Sequence, residues 1–159
     1  MYKKILVPMD GSELSEISLE HVKKFATAGN IPEVILLNVL EPISNIVYAS
    51  PAALREDVIH NLEKQGQVHA QEYVDKIAAG LKKDGFRAQG VAILGQPADE
   101  ILQYSKEHRI DLIIMSTHGR SGISRWALGS VADKVMRHST VPVLIIRPHA
   151  LKDTKPRSK

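Results

Sequence analysis

Short apolar runs alternate with helix-like stretches along the whole chain, and this alternation constrains the fold more than any other feature of the sequence. The runs are rich in Val, Ile and Leu, as is typical of strands buried on both faces of a parallel sheet. The stretches between them carry helix-start signals or repeat apolar residues at helical spacing. The predicted strands span residues 4–8, 33–40, 86–94, 111–115 and 141–146, and the predicted helices span 14–25, about 53–83, a segment that opens at 97, and 130–137.

Strands that alternate with helices are connected by right-handed crossovers, which make the strands parallel and place helices on both faces of the sheet. The chain is therefore predicted to form a single α/β domain with a doubly wound, Rossmann-like, five-stranded parallel sheet of order 3-2-1-4-5. This order follows if the winding reverses after the third strand, so that the switch point lies between strands one and four. Such sheets bind ligands at the carboxyl ends of the strands near this point, where residues 8–11 and 115–119 converge.

A turn of small and polar residues follows the fourth strand and precedes a helix start. Ser116 to Gly119 form this turn, and Gly129-Ser130 follows after a further nine residues. Ser130 is predicted to be the N-cap of the last helix, with the acidic Asp133 three positions on. The unpaired N–H groups and the dipole of a helix N-terminus favour an anion, and glycines let the backbone approach it closely. The sequence therefore predicts a nucleotide phosphate site at this edge of the sheet.

The composition and the absent motifs argue against several other classes of function. The chain contains no cysteine, which excludes disulfides, thiolate metal sites and cysteine nucleophiles. No apolar run is long enough to span a bilayer, and no signal peptide is visible, so we expect a cytoplasmic protein without membrane contact. The motifs of P-loop nucleotidases, dinucleotide-binding Rossmann sites and α/β-hydrolases are also absent.

The formal net charge of +3 comes from the C-terminus. Residues 147–159 include five basic residues and one acidic residue, whereas the remainder has 16 basic and 17 acidic residues. Residues 149–159 are predicted to be a disordered, solubilising tail after a domain of residues 1–148; weak binding to nucleic acid or to an anionic partner is the alternative. The body lacks the basic, aromatic face of nucleic-acid-binding modules, so nucleic acid is not an expected partner.

The segment Ser116-Thr-His-Gly119, followed after nine residues by Gly129-Ser130, resembles a known signature. It is similar to Gly-x2-Gly-x9-Gly-[Ser/Thr] of the nucleotide-binding branch of the universal stress protein family. Residues 3–12 and 141–147 also resemble segments of this family, so the resemblance covers residues 1 to about 148. It implies an α/β domain that binds ATP, with Mg²⁺ or Mn²⁺ bound through the phosphates. It also implies a homodimer that pairs through the last strand, Val143–Ile146.

The resemblance assigns ligand contacts to the matching positions. Asp10 is expected to contact the ribose or a phosphate-bound metal ion, and the backbone of Val39 is expected to contact the adenine edge. The apolar wall of the site is expected to comprise Pro8, Met9 and Met115. The phosphates are expected to contact the Ser130 hydroxyl and the backbone N–H groups of Gly119, Gly129, Ser130 and Val131.

Three further residues of the loop and the turn need separate interpretation. Arg120 is a candidate phosphate partner, and Arg125 is a weaker one, because exposed loop arginines are usually solvated. His118 is included in the predicted nucleotide site, although the histidines form no His-x3-His or His-Glu-x2-His pattern. A packing role or a hydrogen bond to the backbone is therefore favoured over catalysis for His118.

Ser116 stands where the family signature has its first glycine. If this position requires a positive φ, serine would be strained by about 1–2 kcal/mol. If it requires only a small side chain near the ribose, serine fits and adds a hydroxyl that can form a hydrogen bond. We favour the second interpretation.

Three functions are compatible with these features. The leading hypothesis is a homodimeric binding module whose ATP occupancy is a regulatory state in stress adaptation, recognised by a signalling partner that the sequence does not identify. The second is a slow Mg-dependent ATPase or phosphotransferase at the same site; because no catalytic base is identifiable, at most slow hydrolysis is expected. The third is a structural dimer that binds no nucleotide.

Overall fold

The computed structural model describes residues 2–25, 32–43, 55–117 and 129–147. Within these ranges five strands alternate with four helices, as the sequence predicts. None of these helices combines the length with the apolar character that crossing a membrane requires. The strands are β1 (Lys4–Pro8), β2 (Glu33–Leu40), β3 (Arg87–Leu94), β4 (Leu112–Ser116) and β5 (Val143–Ile146). The helices are α1 (Glu13–Lys24), α2 (Glu56–Lys83), α3 (Pro97–Glu107) and α4 (Ser130–His138).

The strands form one parallel sheet with the order β3-β2-β1-β4-β5. This order confirms the predicted doubly wound fold, with its switch point between β1 and β4. In the register, Leu6 of β1 lies opposite Ile35 of β2 on one side and Ile113 of β4 on the other. β5 begins later than predicted, because the Ser139 hydroxyl donates to the Val141 carbonyl at 2.7 Å and accepts from the Val141 N–H at 3.2 Å. These two bonds hold a turn ahead of the strand.

The hydrophobic core consists of two layers, one on each face of the sheet. Successive residues of a strand point to opposite faces. In β1, the fully buried Ile5 and Val7 pack in the layer beneath α1 and α2, whereas Leu6 packs in the layer beneath α3 and α4. Because both faces are covered, the strands need apolar residues at consecutive positions, which explains why their sequences do not alternate between apolar and polar residues.

The end of α2 is a glycine-based turn. Gly85 has φ +90°, and its N–H donates to the Lys82 carbonyl at 3.0 Å. The Phe86 N–H donates to the Leu81 carbonyl at 3.0 Å. This pair of bonds is the Schellman motif, which needs a left-handed residue at the position of Gly85. Gly66 leaves α2 uninterrupted as one continuous helix.

Candidate functional site at the switch point

A cavity of about 380 Å³ lies at the switch point of the sheet. Its described walls come from the ends of β1 and β4, from the last part of β2, and from the first turns of α1, α3 and α4. Most of these residues are apolar, and a few polar groups converge among them, as is usual for small-molecule sites of this size. The position is the one where doubly wound sheets bind their ligands.

The structure brings together nine of the residues that the sequence analysis placed in the site. These residues line the cavity: Pro8, Met9, Asp10, Val39, Met115, Ser116, Gly129, Ser130 and Val131. The other predicted site residues, His118, Gly119 and Arg120, lie outside the described residues, as does Arg125. What each residue contacts in a ligand stays a prediction.

The end of β1 is held by hydrogen bonds around Asp10. The Asp10 carboxylate accepts from the Ser12 N–H at 3.0 Å and from the Ser12 hydroxyl at 2.6 Å. Ser12 is the N-cap of α1, and its side-chain oxygen accepts from the Ser15 N–H at 3.2 Å. Gly11, with φ +81°, makes the sharp turn between strand and helix. These contacts fix the exposed Asp10 carboxylate where β1 meets the cavity.

Ser15 is a cavity residue that the sequence analysis did not include. Its side chain is buried, and its hydroxyl donates to the Ser12 carbonyl at 2.8 Å. Tyr73 of α2 also holds the first turn of α1 in place, because its hydroxyl donates to Glu16 Oε1 at 3.0 Å. Burial raises the pKa of Tyr73 to about 12, with the Glu16 carboxylate adding to the effect, so this donor keeps its proton throughout the neutral range.

The backbone of β2 extends beyond the end of β1 and presents an edge to the cavity. In parallel strands, alternate residues direct both their N–H and their C=O to the same neighbour. The Met9 N–H donates to the Leu37 carbonyl at 2.8 Å, whereas the Gly95 N–H beyond β3 donates to the Leu40 carbonyl at 2.9 Å. Val39 therefore directs its N–H and C=O towards the β1 side, where no backbone hydrogen bond from the described residues reaches it.

The start of α4 differs from the prediction. Ser130 is the first helical residue, and the N-cap is Gly129, with φ +80° and ψ 144°. The Asp133 N–H donates to the Gly129 carbonyl at 3.0 Å, and the Asp133 carboxylate accepts from Arg137 Nε at 2.8 Å instead of reaching back to the N-terminus. The predicted Ser130 cap is thus wrong, because the left-handed Gly129 provides the turn into the helix. The first N–H groups of α4, which lack acceptors within a helix, remain at the cavity.

Ser116 is unstrained. It is the last residue of β4, and among the described non-glycine residues only Arg109 has a positive φ. The structure therefore supports the interpretation in which this position requires only a small side chain. The next residue, Thr117, was absent from the predicted site; it is buried, lines the cavity, and donates its N–H to the Ile146 carbonyl at 3.0 Å.

Other lining residues come from β2, from the residue that follows it, and from the first turns of α3 and α4, and the sequence analysis also omitted them. These residues are Leu37, Glu41, Pro97, Ile101 and Ala132. Pro97 could have been predicted as a site residue. It begins a helix that directly follows a strand, and such a helix begins at the carboxyl ends of the strands, where the ligand is expected. Glu41 is the more consequential omission, since it adds a second carboxylate to the side of the cavity where Asp10 lies.

The sequence is similar to those of proteins from a known family. Residues 1–147 match the sequence model of the Universal stress protein family. This chain belongs to the universal stress protein family. Universal stress protein MJ0577 of Methanocaldococcus jannaschii is 33% identical over an alignment 156 positions long, and the match covers 92% of this chain and 96% of that protein. Universal stress protein YxiE of Bacillus subtilis is 32% identical over an alignment 157 positions long, and the match covers 92% of this chain and all of that protein.

Solved structures show the same fold. The structure of MJ0577 matches this universal stress protein with a TM-score of 0.79 at 34% identity, over 94% of this chain and 98% of that chain. A universal stress protein family member from Arabidopsis thaliana, solved with AMP bound, has a TM-score of 0.65 at 21% identity over 93% of each chain. The second likeness concerns the fold alone. The predicted family is confirmed, and its nucleotide-binding branch stays a prediction for this chain.

Proposed function

We propose that this universal stress protein binds ATP in the switch-point cavity and acts as a cytoplasmic, homodimeric regulatory module in stress adaptation. The observation that carries the proposal is that the N-terminus of α4, headed by Gly129, lines the same cavity as the backbone edge of Val39. The helix N-terminus suits an anion, and the backbone of Val39 suits the hydrogen-bonding edge of a base. A nucleotide carries an anionic phosphate and a base in one molecule.

The phosphates are assigned to the first turn of α4. The N–H groups of Ser130, Val131 and Ala132 have no acceptors within the helix, and the helix dipole adds positive potential there. Hydrogen bonds from such groups to phosphate oxygens are charge-assisted and short. The Ser130 hydroxyl supplies a further donor. The Asp10 and Glu41 carboxylates disfavour a phosphate without a bound cation on the β1 and β2 side of the cavity, which orients the nucleotide.

The nucleoside is assigned to the β1 and β2 side. Adenine presents an amino donor beside a ring-nitrogen acceptor, which complements the C=O and N–H of Val39. Guanine has a carbonyl oxygen in place of that amino group, so it lacks the matching donor. The Asp10 carboxylate is an acceptor suited to ribose hydroxyls or to a phosphate-bound cation. Pro8, Met9 and Met115 provide apolar contacts with the base or the sugar.

A divalent cation would be bound mainly by the nucleotide. Within the described ranges, no three His, Asp or Glu side chains come together as a metal site. Mg²⁺ is usually held by phosphate oxygens, waters and one or two carboxylates. We therefore assign Mg²⁺ or Mn²⁺ to the phosphates, with Asp10 as the candidate protein ligand.

The dimer is assigned to the outer edge of β5. The Ile113 N–H donates to the Pro142 carbonyl and the Thr117 N–H donates to the Ile146 carbonyl, each at 3.0 Å, so even-numbered residues of this segment face β4. Val143 and Ile145 consequently direct their backbone groups outwards. No strand within the described ranges pairs with this edge. Pairing with the same edge of a second copy around a two-fold axis would satisfy these groups.

The proposal is tested on protein purified without added nucleotide. Native mass spectrometry is expected to show a dimer with one ATP per chain, and denaturation is expected to release ATP with little ADP. Mostly ADP would instead favour the slow ATPase. An empty protein that also fails to bind added Mg-ATP would contradict nucleotide binding and support the structural dimer. An ATP-bound monomer at micromolar concentration would contradict only the dimer.

A further inference from the structure

The outer edge of β3 is hydrogen-bonded to side chains of α2. The Gln71 amide nitrogen donates to the Gly90 carbonyl at 2.9 Å, and the Ala92 N–H donates to Gln71 Oε1 at 2.8 Å. The amide nitrogen of Gln67, one helical turn earlier, donates to the Ala92 carbonyl at 3.2 Å. Within the described ranges no strand pairs with this side of β3. Side-chain amides therefore satisfy backbone groups that would otherwise be open to another strand.

The pattern of these bonds is that of a neighbouring parallel strand. A residue in such a strand donates its N–H to one carbonyl of its partner and accepts from the N–H two residues further on. The carboxamide of Gln71 makes this pair of bonds with Gly90 and Ala92, which flank Val91. Gln67 supplies the next donor in the same direction. The two glutamines thus take the hydrogen-bonding positions of a sixth strand.

Gly90 allows α2 to lie close enough for these contacts. A Cβ atom on Gly90 would lie 2.7 Å from Val74 Cγ2 and 2.8 Å from both the backbone nitrogen and Oδ1 of Asp75. Any larger residue would push the helix away from the strand. A glycine inside a strand is often a sign of such close approach by another backbone.

The two edges of the sheet therefore differ. At β5, Val143 and Ile145 direct their backbone groups outwards, and no side chain from the described residues donates to them or accepts from them. An exposed strand edge is a template for pairing with another chain. A protein with two such edges can pair at both and form an open filament, whereas a protein with one can form only a closed pair.

We propose that Gln67 and Gln71 close the β3 edge to a second copy of this chain, so that strand pairing between copies is confined to β5. The closure of β3 does not depend on ATP binding or on the β5 dimer. It requires only that the glutamine amides occupy the Gly90 carbonyl and the N–H and carbonyl of Ala92.

The test compares the parent protein with a Gln67→Ala/Gln71→Ala variant by light scattering from micromolar to millimolar concentration. Alanine favours helix at both positions, so α2 is retained. The variant is expected to reach about twice the parent's molar mass or more as concentration rises, whether the parent is a monomer or a dimer. Gln65→Ala, an exposed position on the same helix, serves as control and is expected to keep the parent's mass. A folded double variant with the parent's mass throughout would overturn the proposal.

A second measurement examines the hydrogen bond from the Ala92 N–H to Gln71. In dilute Gln71→Ala protein, hydrogen exchange at the Ala92 amide is expected to accelerate about tenfold or more, because this N–H loses its acceptor. Exchange at the fully buried Leu36 in β2 is expected to be unchanged, which shows that the fold is intact. Parent-like exchange at Ala92 would also overturn the proposal, independently of any change in mass.

Discussion

Replacing Gly129 by alanine is expected to weaken ATP binding by about 10- to 100-fold. Gly129 has φ +80° and ψ 144° directly before α4, a backbone conformation that strains other residues by about 1–3 kcal/mol. The alanine variant would relax towards negative φ and turn the first N–H groups of α4 away from the cavity. Each lost hydrogen bond to a charged group contributes about 1.5–3 kcal/mol. Isothermal titration calorimetry with Mg-ATP measures the change in Kd.

Gly85→Ala is the matched control for backbone strain. Gly85 has φ +90°, and at both positions an added Cβ would meet no atom within 4 Å. Gly85 precedes β3 and therefore lies near the amino ends of the strands, whereas the cavity lies at their carboxyl ends. Both variants are expected to lose a similar amount of stability, about 1–3 kcal/mol, and only Gly129→Ala is expected to lose affinity. Parent-like affinity in Gly129→Ala would contradict the assignment of the phosphates to α4.

Gly90→Ala is expected to lower the free energy of unfolding by about 2–4 kcal/mol. The new Cβ would overlap Val74 Cγ2 at 2.7 Å and the Asp75 backbone nitrogen at 2.8 Å. The backbone of α2 cannot rotate aside as a side chain can, so the helix would have to shift. That shift would also weaken the hydrogen bonds of Gln67 and Gln71 to β3. Urea denaturation of nucleotide-free protein measures the difference from the parent.

Gly66→Ala is the comparison within α2. A Cβ at Gly66 would lie 3.4 Å from Leu40 Cδ2, an ordinary contact with a side chain. Because alanine favours helix over glycine, this variant is expected to equal the parent or to exceed its stability by up to about 1 kcal/mol. If Gly90→Ala were as stable as Gly66→Ala, the close approach of α2 to β3 would be refuted.

The strand order was predictable because its causes are local. Each of the five apolar runs is short, and each is separated from the next by a segment with helical features. Right-handed crossovers then leave few arrangements of the sheet. The convergence of Asp10, Ser116 and Gly129 around one cavity follows from that order, since all three lie at or just after the carboxyl end of a strand or just before a helix, on the same side of the sheet.

The helix cap was not predictable from residue types alone. Ser130 with Asp133 fits the sequence pattern of a capping box, but the pattern cannot show that Gly129 takes up a left-handed conformation and displaces the cap by one residue. It also cannot show that Asp133 pairs with Arg137, one turn later in the same helix. Both outcomes depend on competition between local hydrogen bonds of similar strength.

The closure of the β3 edge could not be predicted from the sequence, for a different reason. Gln71 and Ala92 are 21 residues apart, and their contact depends on the register of α2 over the sheet. Glutamine in a helix usually indicates only a solvated position. The isolated Gly90 in a strand was the one available signal, because glycine there weakens a strand unless another backbone comes close.

The most direct test of the central claim is an NMR titration of nucleotide-free protein with Mg-ATP, followed through the backbone amides. ATP binding at the switch point predicts saturable shifts at one equivalent per chain, largest at Val39, Thr117 and Val131, which line the cavity. Lys106 and Lys134, in the surface groove between α3 and α4, are expected to shift little. Shifts centred on that groove, or no shifts at all, would contradict the account.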